Sequence, residues 1–167
     1  METKTQILSP LQVKQKIERI AHEIWENDFD EKEIVLVGIA NRGYQVAEKI
    51  SAVLKNISPF QVELLKIELH KDLPLENDIV LSAPLDSLNG KTIVLIDDVL
   101  NSGRTLIYAA RYLLTVPIKK LNTVVLVDRR HRKFPIKADF VGLTLSTTLK
   151  EHISVEFEKD SASVYLD

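Results

Sequence analysis

The stretch that decides the fold is Val94–Leu106, VLIDDVLNSGRTL. Its opening belongs to an apolar, β-branched run over Thr92–Ile96, which predicts a strand buried on both faces of a parallel sheet. Two adjacent acids, Asp97 and Asp98, end that run. A turn of small and polar residues around Gly103 then opens a helix over about Thr105–Thr115, which stops before Pro117. In an open α/β sheet, ligands bind at the carboxyl ends of the strands, where a strand-to-helix turn presents unpaired amides and the positive end of the helix dipole. The turn is therefore an anion cradle: Gly103 allows close backbone approach, and Asn101, Ser102 and Thr105 add side-chain donors. Asp97 and Asp98, one step earlier, cannot help to hold a phosphate. They can accept hydrogen bonds from vicinal hydroxyls, such as those of a ribose whose 5′-phosphate lies in the turn, so the pattern predicts a ribose 5-phosphate footprint.

Working outward, the same strand–helix alternation recurs. Ile34–Ile39 (IVLVGI) reads as a second buried strand, and Gly43 precedes a helical stretch, Tyr44–Leu54. Before it, Ser9-Pro10-Leu11-Gln12 has the form of a capping box with Pro at the first helical position. Apolar residues then recur at Val13, Ile17, Ile20, Ala21 and Ile24, predicting a helix to about Asn27. Val62–Leu69 and Leu121–Val127 read as strands, as do Ala138–Val141 and two short C-terminal segments, Ile153–Phe157 and Ser163–Leu166. Between them, His70–Gly90 carries three Asp, two Pro and an Asn-Gly pair and reads as a long, mobile connection. Alternating strands and helices predict an α/β fold, a mostly parallel sheet flanked by helices with right-handed crossovers. No repeat or linker divides residues 1–167, so a single domain is expected.

Composition narrows the function classes. Among 167 residues, 22 are Lys or Arg and 24 are Asp or Glu, and 45% are hydrophobic, the make-up of one ordinary globular domain. With no Cys, disulfides, thiolate metal sites and a cysteine nucleophile are excluded. A polar N-terminus and the lack of any long apolar window predict no membrane partner and a cytoplasmic location. A net charge of -2 gives no global attraction to nucleic acid, so RNA binding would need a local basic face. The run Arg129-Arg130-His131-Arg132-Lys133 is such a face, although a charge run is usually just solvated.

Four apolar residues, two acids, an apolar pair and a Ser/Gly/Thr turn resemble the phosphoribosyl diphosphate (PRPP) motif of the type I phosphoribosyltransferases. The resemblance extends to Ile17–Asn27, Val37–Ile50 and Leu126–Gly142, which together with the motif are similar, in order and spacing, to the pyrimidine operon attenuator proteins that are also uracil phosphoribosyltransferases. It implies a type I phosphoribosyltransferase fold with a flexible lid and a small cap from the terminal segments. It also implies transfer of ribose 5-phosphate from PRPP to a nucleobase, uracil before others, giving a nucleoside monophosphate and pyrophosphate with magnesium's assistance. PRPP would be held by Asn41, Arg42, Asp97, Asp98, Asn101, Ser102, Gly103, Arg104 and Thr105, with Arg42 neutralising a diphosphate oxygen. Asp97, Asp98 and Lys71 would carry the catalytic electrostatics. The lid would be His70–Gly90. It is several residues shorter than the family's and begins His70-Lys71-Asp72-Leu73, a departure that bears on rate rather than on PRPP binding.

For the base, the resemblance implies Arg129, Phe140 and Val141, with main-chain groups reading its polar edge and Phe140 covering its face or serving the core. It further implies a homo-oligomer, dimer or tetramer, and an RNA-binding attenuator role for which Arg19 and His22 match. Against RNA, Glu18 stands where relatives have a small hydroxyl residue, and Ser146-Thr147-Thr148 is followed by Leu149, with basic residues only at Lys150 and His152. A glutamate in a phosphate footprint repels, and affinity scales with the phosphates neutralised, so catalysis ranks ahead of RNA binding. A phosphoribosyltransferase for a different base is the third option.

Overall fold

The computed structural model describes residues 3–167. Its centre is β5 (Thr92–Leu100), buried at every position and paired in parallel with β2 (Glu33–Ile39) on one side and β6 (Lys120–Asp128) on the other. With β3 (Gln61–Glu68), β4 (Val80–Leu81) and β7 (Phe140–Thr144) they form a six-stranded sheet in the order β4-β3-β2-β5-β6-β7. Every pairing in it is parallel except β3 with β4. Helices α1 (Pro10–Asn27) and α2 (Arg42–Ile57) cover one face through Ile20, Ile24, Val46 and Ile50. Helix α3 (Arg104–Leu113) covers the other through Leu106, Ala109 and Leu113. Burial on both faces is why the central strands read as continuous apolar runs.

The capping box at the start of α1 forms as expected: Ser9 Oγ accepts from the Gln12 amide (3.3 Å) and Gln12 Oε1 from the Ser9 amide (2.9 Å). β8 (Ile153–Phe157) and β9 (Ala162–Leu166) form a second, antiparallel sheet with β1 (Thr5–Leu8), in the order β1-β9-β8. This is the expected small cap. It packs Val155, Ala162 and Val164 into the core on the α1 and α2 side.

Several boundaries differ from the sequence reading. α2 is longer at both ends, and β5 runs on through Asp97 and Asp98 to Leu100, so the acids are part of the strand rather than its end. β7 begins at Phe140, two residues later than expected. The 70–90 connection is not featureless, because it contains β4 and a 3₁₀ turn, Leu85–Leu88, whose Leu88 is fully buried. Among the described residues no helix is long and apolar enough to cross a membrane.

The two ends of the sheet treat charge differently. At the amino end, Lys119 pairs with Glu31 (2.7 Å) and Lys120 with Asp28 (2.5 Å), while Thr92 Oγ1 donates to Glu31 (3.1 Å). At the carboxyl end the acids of β5 have no cationic side chain within ion-pair distance among the described residues.

Candidate active site

Chain order reverses direction at β2 and β5: β3 lies outside β2, and β6 and β7 lie outside β5. The carboxyl ends of those two strands therefore flank the crevice where open α/β sheets bind ligands. A cavity there, about 570 Å³ with its solvent mouth, is walled by Asp97, Asp98 and the turn Asn101–Thr105. Arg42 enters from the start of α2, Lys71 from the lid, and Ile153 from the cap sheet.

The turn has the geometry that can receive an anion. Gly103, at φ +87° and with no side-chain cap, takes a conformation open to glycine and strained for other residues. Arg104's amide donates to Ser102 Oγ (3.2 Å), and Ile107's donates to the Gly103 carbonyl (2.9 Å). Between them the amides of Thr105 and Leu106, in the first turn of α3, are left for a ligand. The turn is braced from behind, because the amides of Lys133 and Phe134 both donate to the Ser102 carbonyl (2.8 and 3.0 Å). Arg104 lines the cavity and lies 5.5 Å over the Phe134 ring.

Both carboxylates are 5% exposed. Burial first, and the neighbouring Asp98 second, push the Asp97 carboxyl well above its usual range, while Lys71 pulls it back. The Asp98 amide donates to Asp97 Oδ1 (2.9 Å), orienting that group. Gly43 explains how closely α2 approaches: a Cβ there would lie 2.8 Å from the Ile96 carbonyl and 2.9 Å from Asp97 Cα and Oδ1. The start of α2, which bears Arg42, is thus seated directly on Asp97.

The structure brings Arg42, Lys71, Asp97, Asp98, Asn101, Ser102, Gly103, Arg104 and Thr105 together. Asn41 stands next to them at the start of α2, exposed and outside the cavity wall. The expected base residues are placed elsewhere. Phe140 opposes Val124 at the amino end of β7 and packs into the core on the α1 and α2 side, and Val141 packs on the opposite face. Strand direction is the reason: β7 runs parallel to β5, so its first residues lie below the crevice. Arg129 is 8% exposed, and its guanidinium is bonded to the chain itself.

The residue that sequence reasoning missed is Ile153, an apolar wall supplied by the cap. Nothing in the ISVEF stretch marks it as a site residue. Its position follows from the cap sheet, which turns the face carrying Val155 toward the core.

Of the two residues expected to contact RNA, Arg19 is bonded within the chain and His22 is not. Arg19 donates to the Val141 and Gly142 carbonyls (2.8 and 2.7 Å), and His22 is exposed with its ring 6.5 Å from Trp25. Within the basic run, Arg132 pairs with Asp128 (2.6 Å) and His131 Nε2 meets the Thr147 carbonyl (2.5 Å).

Comparison with known proteins agrees with this geometry. Residues 3–161 match the model of the phosphoribosyl transferase domain. A protein of Chloroflexus aurantiacus named bifunctional protein PyrR is 36% identical over 167 residues, covering 95% of this chain and 91% of its own. Its namesake from Clostridium novyi is 38% identical over 169 residues, covering 93% and 91%. Among solved structures, the hypoxanthine phosphoribosyltransferase of Trypanosoma cruzi superposes with a TM-score of 0.79 at 18% identity, covering 96% of this chain and 95% of its own. A hypoxanthine-guanine phosphoribosyltransferase of Bacillus anthracis gives 0.74 at 23% identity, covering 91% and 88%; at such identities these two establish the fold alone. The chain belongs to the phosphoribosyltransferases, and within them to the group of the bifunctional PyrR proteins.

Proposed function

We propose that this phosphoribosyltransferase moves ribose 5-phosphate from PRPP to uracil, forming uridine 5′-monophosphate and pyrophosphate. The observation that carries the reading is the cavity at the β2/β5 crevice. It combines a buried acidic pair, a helix N-terminus with free amides, and two cations, Arg42 and Lys71.

In the reaction the bond from C1′ to pyrophosphate breaks and a bond from C1′ to a ring nitrogen of the base forms, through an oxocarbenium-like sugar, and the proton of that nitrogen leaves to the departing diphosphate or to water. Asp97 and Asp98 accept from the ribose hydroxyls and oppose the positive charge that develops on the ring. Arg42 and Lys71 neutralise the departing diphosphate, and the turn anchors the 5′-phosphate that does not react. Ile153 offers an apolar wall to the base. Among the described residues no cluster of three or more His, Cys, Asp or Glu is placed to hold a metal alone. A magnesium ion bound together with the diphosphate would be held by Asp97 and Asp98, hard oxygen donors of the kind that ion takes. When bound it supplies charge neutralisation of the diphosphate.

A cytoplasmic location and a homo-oligomeric assembly belong to the same reading. RNA binding is the second reading, favoured by the word bifunctional in the relatives' name and ranked lower because Arg19 and Arg132 are committed to partners within the chain. The test is a panel of free bases incubated with PRPP and magnesium and monitored for pyrophosphate release. Release with uracil ahead of cytosine, hypoxanthine, guanine and adenine supports the reading. Release with a purine alone moves the chain to another base, and release with none removes the catalytic claim.

A further inference from the structure

Arg129 was expected at the base, and the fold assigns its guanidinium to a different task. Nη1 donates to Asn101 Oδ1 (2.9 Å), Nε to Thr147 Oγ1 (3.0 Å), and Nη2 to the carbonyls of Glu151 (2.7 Å) and Thr148 (3.3 Å). Asn101 belongs to the turn that would hold the phosphate. Thr147–Glu151 belongs to the segment that leads into β8, whose first residue is Ile153. One planar group therefore ties together the two segments that would hold the two ends of a nucleotide.

The acceptors are all uncharged oxygens, so ion pairing does not account for a buried arginine here. Taking a guanidinium out of water without a bonded carboxylate is costly, and its rigid fork suits the bridging of several fixed acceptors. The main chain reinforces the link, since the Arg129 amide donates to the Leu100 carbonyl (3.1 Å) at the end of β5. The segment is also held internally: the Glu151 carboxylate accepts from the Thr148 amide (2.6 Å). Committing Asn101 Oδ1 to Arg129 leaves the Asn101 amide nitrogen as the donor group available to a ligand.

We propose that Arg129 is a positioning residue, which holds the Thr147–Ile153 segment against the phosphate turn and thereby sets the affinity of the base site without touching the base. The inference rests on the reading of the cavity as a nucleotide site. Its test compares two probes by calorimetry: uridine 5′-monophosphate, which spans both ends of the cavity, and ribose 5-phosphate, which occupies only the turn.

In Arg129→Met the apolar stem remains and the four bonds are lost. Affinity for uridine 5′-monophosphate is expected to fall tenfold or more, and affinity for ribose 5-phosphate to stay within threefold. In turnover the KM for uracil rises while the KM for PRPP and kcat change far less. Arg129→Lys, which keeps one or two of the bonds, recovers part of the loss. Equal losses for the two probes, as general loosening would give, overturn the inference, and so does an unchanged affinity for uridine 5′-monophosphate. If Arg129→Met does not fold, Thr147→Val removes the Nε acceptor, together with a long contact to His131 Nε2 (3.5 Å), and must show the same asymmetry at smaller size; no asymmetry overturns the inference. Wild-type protein that binds uridine 5′-monophosphate no more tightly than ribose 5-phosphate removes the base site itself and the inference with it, a failure visible before any variant is made.

Discussion

Replacing Asp97 with Asn moves stability and activity in opposite directions, and the structure sets both signs. Asp97 lies at 5% exposure beside an equally buried Asp98. Its folded carboxyl is pushed well above the ordinary carboxylate range, by burial first and by Asp98 second. The folded state therefore binds this proton more tightly than the unfolded chain does. The stabilisation is complete below the unfolded carboxyl value, about 4, and is lost as pH rises toward the folded value. Above that value the buried charge is a constant cost, which a neutral amide of the same shape removes while keeping an oxygen for the Asp98 amide. On the scale of an uncompensated buried polar group, the gain in the pH range where Asp97 is ionised is about 1–3 kcal/mol. A chain of this size shifts its Tm by roughly 2–4 °C per kcal/mol, so the variant should melt about 2–12 °C higher. At pH 4 the gap should largely close. Activity goes the other way: loss of a preorganised charge at the developing cation costs about 2–4 kcal/mol of transition-state stabilisation, roughly 30- to 1,000-fold in rate, with a larger loss in the double Asp97→Asn, Asp98→Asn variant. Melting curves at pH 4 and pH 8 and a pyrophosphate-release assay measure both effects. A variant that is less stable than wild type at pH 8, or that retains wild-type turnover, refutes the reasoning.

Three other perturbations probe the neighbouring parts. Gly103→Val places a β-branched residue at φ +87° with its Cβ 2.8 Å from Ile136 Cγ2. The backbone strain alone is about 1–3 kcal/mol, and calorimetry should show weakened PRPP and nucleotide binding in a domain that still folds; retained affinity would remove this turn as the phosphate site. Gly43→Ala drives a methyl to 2.8 Å from the Ile96 carbonyl and 2.9 Å from Asp97. Because β5 is buried at every position and cannot retreat, PRPP affinity should drop at least tenfold, and an unchanged affinity would show that α2 need not sit on the acidic pair. For RNA, weak and unselective binding is expected, falling with salt at a slope near −0.7 per phosphate contacted and carried by exposed cations such as Arg130 and Lys133. Tight, salt-tolerant binding to one hairpin, lost in Arg19→Ala, would make the protein a regulator first.

What could be read from the sequence was what local pattern controls. The capping box at Ser9, the apolar runs of β2 and the early part of β5, and the glycine turn before α3 each announce themselves within a few residues. β1 did not, because Thr5–Leu8 is short and its partner lies at the far end of the chain, Thr5 opposite Leu166. The continuation of β5 through two acids was hidden for a related reason. Carboxylates argue against a strand, and it is the pairing of Asp97 with Val125 and Leu100 with Asp128 that keeps the backbone extended. Within the site, Asp97, Asp98 and the turn were legible because a phosphate cradle is one contiguous stretch. The base side was not, since Ile153 arrives by way of a separate sheet, and Arg129 gives up its donors to acceptors that include oxygens 18–22 residues downstream. Phe140 was open to stacking on the base or to the core, and strand direction, which places it at the amino end of β7, leaves it in the core.

In the proposed function the β5–α3 turn and the acidic pair before it form one ribose 5-phosphate site. A crystal structure of the protein with uridine 5′-monophosphate tests it most directly. The phosphate is expected on the amides of Thr105 and Leu106, the ribose hydroxyls at Asp97 and Asp98, and the base beside Ile153 with Arg129 still bonded to Asn101. A phosphate bound away from the turn, or a base stacked on Phe140, would contradict it.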